Sequence, residues 1–230
     1  MSIFLSMLSH SVLAADSSFS FAPAPANLAG DLNANKIGID VVNVSIDGAS
    51  DVTATTYRYM AKRSHETHDS VRKSVEGFSF YLTTMDADGF DSAYTLGLEF
   101  DGVSGSTNGS AFIFSTGSDI QSFTSSDANS STDILTLIFH LDVGVQQHMI
   151  MGKDFTLVPW GKFSYFNVES TVTTESNIGG FYNYDSTNVS NNYSSMSYGL
   201  DVIFSGFSLG AMYQQGDNAS ITKFSISTDF

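Results

Sequence analysis

Two side chains that can exchange a proton stand two positions apart in an apolar stretch of the sequence. His140 and Asp142 alternate with the large apolar residues Phe139, Leu141 and Val143. In a β-strand, residues two positions apart project from the same face, so the imidazole and the carboxylate would lie side by side. Such a pair can accept or release a proton. No third partner can be assigned from the sequence, so a catalytic pair is one interpretation and a buried structural ion pair is the other.

A second group of residues resembles part of a calcium-binding loop. Asp86, Asp88 and Asp91 surround Gly89, and closely spaced carboxylates can share a hard cation. The complete loop needs a bidentate acid at its twelfth position, where this chain has Gly97. A tight turn made of Asp and Gly is the alternative. We treat the three carboxylates as weak metal candidates.

Two shorter motifs carry less weight. Residues 65–69 read His-Glu-Thr-His-Asp, which are metal-binding residue types in a polar loop, although two histidines at this spacing are a weak signal. Residues 206–210 read Gly-Phe-Ser-Leu-Gly, but the hydrolase pattern they match requires a turn from strand to helix, and Ser208 lies in a predicted strand. We therefore expect no metal site, no cofactor and no enzymatic activity.

Composition restricts the class of protein further. The 230 residues include no cysteine, which excludes disulfides and thiolate chemistry. The formal net charge is -15 at pH 7, so binding to nucleic acid is not expected. Many Phe, Tyr, Gly and Ser residues with only three prolines favour strands and polar loops over helices.

Strand-like alternation recurs along the chain. Between residues 135 and 146 all odd positions are large and apolar, whereas Ile138 is the one large apolar residue at an even position. The same period recurs in other segments and predicts about ten strands, with eight or twelve as alternatives. In the first strand the parity slips near Val42, which predicts a bulge there. The longest connections are predicted at 117–132 and 171–195, on the same side of the sheet.

The last strand carries a specific pattern. Phe224, Ile226 and Phe230 alternate with Lys223, Ser225 and other polar residues, and the sequence ends on the phenylalanine. This strand resembles the closing strand of small bacterial outer-membrane β-barrel proteins. The resemblance implies a closed antiparallel up-and-down transmembrane β-barrel in the outer membrane, in contact with its lipid. It also implies that the barrel-assembly machinery reads Phe224, Ile226 and Phe230 as an assembly signal.

The parity of each strand then identifies side chains that point into the barrel. Opposite charges are interleaved on this face, and they must be paired to offset their desolvation. A salt-bridged interior is the first interpretation, a narrow ion or solute path the second, and a catalytic pair the third. The candidates for the lumen are Asp40, Arg58, Lys62, Glu99, Asp101, His140, Asp142, Lys162, Asp201 and Lys223.

The domain organisation follows from these assignments. Residues 1–14 are mostly apolar and are followed by small residues, which predicts a secretory signal peptide. Because no Lys or Arg precedes Lys36, we expect the true start to lie upstream of Met1. Residues 15–34 form a polar N-terminal segment, and residues 35–230 form the barrel.

The predicted function is a structural, surface-interaction or narrow-channel role in the outer membrane, with an unidentified extracellular ligand. The alternatives are an outer-membrane enzyme acting on lipid or peptide, an autotransporter-type translocator barrel, and a secreted soluble β-sandwich.

Overall fold

The fold is known from a computed structural model that describes residues 20–47, 51–65, 72–87, 89–178, 180–216 and 219–230. The predicted signal peptide at 1–14, residues 66–69 of the metal-like loop and the weak metal candidate Asp88 lie outside the described residues.

Ten long strands form a closed antiparallel barrel, which confirms the predicted fold class and strand number. The strands are β1 (Asn35–Ile46), β2 (Val52–His65), β3 (Arg72–Asp86), β4 (Ser92–Ser106), β5 (Ser110–Ser126), β6 (Ser130–Gln147), β7 (Met149–Ile150), β8 (Phe155–Ile178), β9 (Phe181–Phe204), β10 (Phe207–Gln215) and β11 (Ala219–Asp229). Each long strand pairs with its neighbours along the chain, and β1 pairs with β11 to close the sheet. The two-residue strand β7 lies in the connection between β6 and β8, which pair directly with each other.

Alternation gives the barrel an apolar outer wall. On β6, the side chains of Leu135, Phe139 and Leu141 are exposed on the outside, whereas Thr136 and His140 are buried in the lumen. The other strands repeat this division, so a continuous belt of apolar side chains surrounds the barrel. A sheet that crosses lipid must close on itself because lipid offers no hydrogen-bond partner to a strand edge. No helix in the described ranges is long and apolar enough to cross a membrane.

The predicted bulge near Val42 is wrong. β1 pairs without interruption with β2 and with β11, so its even positions all face the lumen. Val42, Val44 and Ile46 are therefore buried in an apolar cluster that includes Phe21. The parity in the sequence slips because the lumen changes from polar to apolar along this strand, and not because the backbone is irregular.

The barrel wall is uneven in height. β8 and β9 have 24 residues each, whereas β10 has 9 and β11 has 11. We call the end of the barrel that carries the β5–β6 and β8–β9 hairpins the hairpin end, and the opposite end, where β1 begins and β11 finishes, the turn end.

The long connections predicted at 117–132 and 171–195 are mostly paired strands, so their prediction as loops is wrong. β5 and β6 pair up to Ser126 and Ser131, and β8 and β9 pair up to Ile178 and Phe181. In the β8–β9 part, most of the residues at 171–177 and 181–192 are polar and none of them is buried, so no alternation marks them in the sequence. In the β5–β6 part, the lumen-facing Asp119 and Gln121 are polar like their outward neighbours Ser118 and Ser122, which obscures the alternation there. At the β5–β6 turn, the Asp127 carboxylate accepts the backbone N–H groups of Asn129 and Ser130, each at 2.8 Å. These hydrogen bonds hold the pKa of Asp127 below its usual value.

Candidate functional site in the barrel lumen

An extended segment of the chain occupies the lumen. We call residues 20–34, which precede β1, the plug. Its upper part reads Ser-Phe-Ala-Pro-Ala-Pro-Ala-Asn-Leu-Ala, and the two prolines favour an extended conformation and carry no N–H that needs a partner. At about 3.1 Å per residue, these ten residues span about 30 Å, which is close to the thickness of a bilayer core. Phe21 is 0% exposed and Leu28 is 2% exposed.

The plug runs along the barrel from one end to the other. Phe21 is buried with Val44, Ile46 and Ile221, near the hairpin ends of β1 and β11. At the other end of the plug, the carbonyl of Ala34 accepts the backbone N–H of Lys62 at 2.8 Å. The chain therefore descends through the lumen from the hairpin end and begins β1 at the turn end.

Two lysines of the wall hold carbonyl groups of the plug. The buried Lys223 Nζ donates to the carbonyl oxygens of Phe21 at 3.0 Å and Ala22 at 2.5 Å. Near the turn end, Lys62 Nζ donates to the carbonyl oxygen of Ala29 at 2.8 Å. Hydrogen bonds to a charged donor are stronger than neutral ones, so both lysines fix the plug through its backbone.

Other side chains of the barrel hold the N–H groups of the plug. The Asp101 carboxylate accepts the N–H of Ala26 at 3.1 Å, and it also accepts the hydroxyl of Ser115 at 2.5 Å. His148, in the connection after β6, accepts the N–H of Leu28 on Nε2 at 3.0 Å. Burial lowers the pKa of His148 and so favours the neutral imidazole that this hydrogen bond requires.

The hydroxyl of Ser20, near the hairpin end of the plug, makes a further hydrogen bond to the barrel wall. It donates to the Asp119 carboxylate, which also accepts the hydroxyl of Tyr81. All three residues are buried. The plug is thus hydrogen-bonded to the wall along most of its length.

A second polar network belongs to the wall itself. Lys162 Nζ lies 2.6 Å from Asp142 Oδ2 and 3.4 Å from Glu99 Oε1. His140 Nδ1 lies 3.5 Å from Asp142 Oδ1, so the two residues are neighbours as the alternation predicts. All four side chains are buried, and the ammonium group offsets the cost of burying two carboxylates.

The candidate lumen residues all lie inside the barrel, but they divide into separate groups. Asp40 and Arg58 form an ion pair at 3.3 Å. Asp201 lines a small cavity beside Arg58 and Lys36. Lys62, Lys223 and Asp101 contact the plug, whereas Glu99, His140, Asp142 and Lys162 form the wall network.

Little space remains in the lumen. The cavity lined by Asp201 and Arg58 has a volume of about 30 Å³, and a cavity beside His140 and Lys162 has about 10 Å³. A water molecule needs roughly 10–15 Å³ of such volume, so the cavities hold a few waters at most. Neither of these two cavities is large enough for a sugar-sized solute.

The structure describes two of the metal candidates from the sequence, Asp86 and Asp91, and places neither in a metal-like cluster of described residues. Asp91 accepts a hydrogen bond from Ser126 at 2.5 Å, and Asp86 is exposed. His65 pairs with Glu76 at 3.0 Å. The one group of three described residues that could hold a metal ion is Glu99, His140 and Asp142, whose ligand atoms lie within 4.8 Å of one another. Lys162 already places a positive charge against two of these side chains.

Neither the plug nor the way in which large side chains fit into the lumen is predicted from the sequence. An added Cβ at Gly97 would lie 2.1 Å from the Tyr81 ring, and one at Gly199 would lie 2.5 Å from the Trp160 ring. Each glycine pairs in register with the strand that carries the aromatic residue. A glycine directly opposite an inward aromatic residue is a signal that could have revealed this packing.

The three predicted assembly residues lie on the outside of the last strand. Phe224, Ile226 and Phe230 are exposed on the wall. The ring centroid of Phe230 lies 6.3 Å from that of Tyr59 on β2, so the two aromatic residues are close at the turn end.

Comparisons with known proteins identify the architecture and not a family. No protein-family profile matches the chain, and no curated protein sequence matches it. The β domain of the Bordetella autotransporter BrkA superimposes with a TM-score of 0.51 at 12% identity, over 87% of this chain and 99% of that one. The translocator domain of the autotransporter NalP from Neisseria meningitidis gives 0.49 at 9% identity, over 100% and 97% of the two chains. The attachment invasion protein Ail of Yersinia pestis gives 0.38 at 11% identity, over 85% and 95%.

The fold and the apolar belt agree on the cellular location. A closed antiparallel barrel with an apolar outer wall and a polar interior is the structure by which β-proteins cross the outer membrane. In such barrels the segments that extend furthest beyond the membrane face the cell exterior, and the β5–β6 and β8–β9 strands extend furthest at the hairpin end, so this end faces the exterior. The protein is an integral β-barrel of the bacterial outer membrane.

Proposed function

We propose that the protein acts at the cell surface through its hairpin end and does not conduct solutes. The filled lumen carries this proposal. The plug and the wall network occupy the interior and leave cavities of about 30 and 10 Å³. A barrel of this kind serves as a rigid support for the structures at its outer end.

At the hairpin end, the β8–β9 hairpin projects beyond the apolar belt, where it can contact other molecules. On the outer face of β9, Met196 is exposed within the apolar belt, and the residues beyond it are polar until Tyr184. The twelve residue steps from one position to the other measure about 40 Å along the strand. The β8–β9 hairpin therefore carries its tip well away from the lipid.

A paired measurement tests the proposal. The β8–β9 hairpin is shortened by replacing residues 172–187 with a two-residue turn. Solute permeability is then measured in liposomes that contain the intact or the shortened protein, and adhesion is measured with whole cells that carry either protein. We expect both proteins to be impermeable to sugars and the shortened one to reduce adhesion. Sugar uptake by the intact protein, or full adhesion by the shortened one, would contradict the proposal.

We also propose that the barrel is not an enzyme. His140 and Asp142, the candidate acid–base pair, are buried beside Lys162 and Glu99, and the cavity that they line has a volume of about 10 Å³, which is too small for a lipid or peptide substrate. A lipid or peptide hydrolysis assay on the folded protein in lipid would detect an activity that contradicts this.

A translocator role is the second candidate, and the path of the plug favours it. The plug descends from the hairpin end to β1 at the turn end, which is the course expected of a segment that has passed outward through the barrel. BrkA, which shares the fold, is an autotransporter. A small folded domain inserted before residue 20 would reach the cell surface if the barrel translocates it, and surface proteolysis of intact cells would report this.

The proposal extends to assembly. Phe224, Ile226 and Phe230 form an exposed apolar face on β11, and Phe230 lies beside Tyr59 at the turn end. We take this face to be the signal that the barrel-assembly machinery binds, and the apolar belt to contact outer-membrane lipid.

A further inference from the structure

We infer that the tip of the β8–β9 hairpin binds a positively charged, extended polypeptide segment, which adds as a strand to the free edge of β9. The inference rests on the proposed role at the cell surface and names the kind of partner.

The edge of β9 is open near the tip. β10 pairs with β9 only as far as Gln215 and Met196, since β10 finishes there. In the part of the chain that the structure describes, residues 181–190 of β9 pair with β8 alone. An unpaired edge presents a row of backbone N–H and C=O groups that an extended peptide can satisfy.

The charge of the hairpin end selects the partner. The nine Lys and Arg residues all lie in the lumen or near the turn end. Carboxylates on the hairpins and connections of the hairpin end are exposed, whereas Asp119, near the upper end of the plug, is buried in the lumen. The exposed acidic residues there are Asp47, Asp51, Asp86, Asp91, Asp127, Asp133, Glu175 and Asp185.

This distribution separates the candidate partners. A surface that has only negative charge attracts cationic partners and repels phosphate-rich ones. It also disfavours a second copy of this chain, because that copy would bring the same carboxylates to the contact.

Aromatic side chains near the tip provide the specific contacts. Phe181 is 83% exposed, Tyr182 is 86% exposed and Tyr184 is 65% exposed. Tyr182 and Tyr184 lie on the outer face of β9, and Glu175 of β8 stands directly opposite Tyr184. A ring beside a carboxylate suits a Lys or Arg side chain, which gains a cation–π contact and an ion pair together.

The spacing of the strands fits this arrangement. Neighbouring strands lie about 4.8 Å apart, so a strand added to β9 would be about 10 Å from β8. A lysine on the outer face of that strand can extend over Tyr184 towards Glu175. Asp185, on the opposite face of β9, offers a second carboxylate to the alternate side chains.

The test uses the full-length protein in lipid nanodiscs and three labelled ten-residue peptides followed by fluorescence anisotropy. The first alternates Lys with Val, the second has Glu in place of Lys, and the third keeps Lys but has Pro in place of Val, which removes half of the N–H donors. We expect the first peptide to bind and the other two to bind much more weakly. Equal binding of the Glu peptide would overturn the charge argument, and equal binding of the Pro peptide would overturn strand addition.

Variants localise the contact. Glu175→Gln should weaken binding of the first peptide about twofold to fivefold, which is the range of an exposed ion pair. Tyr184→Ser should weaken it about twofold to fivefold through the lost cation–π contact. Asp154→Asn, the same type of charge change at an exposed position of the turn end, should have no effect. If Glu175→Gln and Tyr184→Ser leave the affinity unchanged in the folded protein, the inference is wrong, whereas loss of adhesion in the shortened hairpin would still support the surface role.

Discussion

Replacing Lys223 by methionine should release the plug from the barrel wall. Methionine keeps the length and the apolar part of the side chain but removes the ammonium group that donates to the carbonyls of Phe21 and Ala22 at 3.0 and 2.5 Å. A hydrogen bond to a charged group contributes about 1.5–3 kcal/mol. We take the lower value for each, since the variant no longer buries a charge and the released carbonyls regain water, and expect a loss of about 3 kcal/mol. Because 1.4 kcal/mol corresponds to a factor of ten, the released state should become about one hundred times more populated.

The absence of cysteine from the chain allows a direct assay. A single cysteine is placed at Ala24, a partly buried plug residue that lines the cavity of about 30 Å³, and its reaction with a water-soluble thiol reagent is followed in the lipid-embedded protein. The reaction rate should rise about one hundredfold when Lys223→Met is added, in proportion to the released population.

A matched lysine of the wall provides the control. Lys36 Nζ is bonded to Asp229 at 3.0 Å and to Ser208 at 3.2 Å, and neither partner belongs to the plug. Lys36 also lines the cavity that holds the cysteine, so Lys36→Met reports the effect of a change in that cavity alone, and it should alter the labelling rate far less than Lys223→Met. Altered mobility on unheated gels verifies that each variant remains a folded barrel. If folded Lys223→Met protein labels at the rate of the control, the plug is not held through its backbone and the reasoning is refuted.

Three further predictions concern the wall, the turn end and the closing strand. Leu141→Lys places a charge in the middle of the apolar stripe of β6, and it should lower the free energy of unfolding, measured in urea from lipid, by about 2–4 kcal/mol. Leu141→Met, which stays apolar, should lower it far less. Similar losses for the two variants would exclude a lipid-facing position for residue 141. Because burial lowers the pKa of folded His148, the stabilisation from its hydrogen bond to Leu28 is complete above about pH 6.5, the ordinary pKa of histidine, and is lost as the pH falls from there through the lower folded pKa. Cysteine labelling of the plug should therefore accelerate as the pH falls below about 6.5 when His148 is present, but not in His148→Gln. A flat profile with His148 present would contradict the role of this histidine. Deleting Phe230 should lower the amount of assembled barrel in outer-membrane fractions without reducing export, and wild-type levels would remove the closing strand as the assembly signal.

The wall of the barrel was predictable because lipid and lumen impose opposite demands on alternate residues. This is why the inward positions of Glu99, His140 and Lys162 follow from parity alone. The partners of these side chains could not be predicted from parity, since a strand pattern does not reveal which side chains of distant strands meet in the lumen. Lys223 shows the difficulty, because its partners are two backbone carbonyls about 200 residues earlier in the chain.

The plug and the projecting hairpins were missed for different physical reasons. Residues 20–29 have neither strand nor helix period, and their burial depends on a barrel that surrounds them. Residues 181–192 of β9 are almost all exposed, so nothing in their polarity separates a paired strand from a loop. The pairing with β8 is what defines them, and pairing partners are not visible in the alternation of a single segment.

The filled lumen has a consequence for the order in which the barrel forms. Phe21 is enclosed by the hairpin ends of β1 and β11, the two strands whose pairing completes the cylinder from Lys36 and Asp229 to Ile46 and Ala219. These strands are among the shortest in the wall, so the seam between them contributes fewer backbone bonds than the β8–β9 pair. Because Phe21 packs against both strands of the seam, the plug and the closing pair of strands stabilise each other. We therefore expect the sheet to close around residues 20–34, so that this packing is gained in the last step of folding.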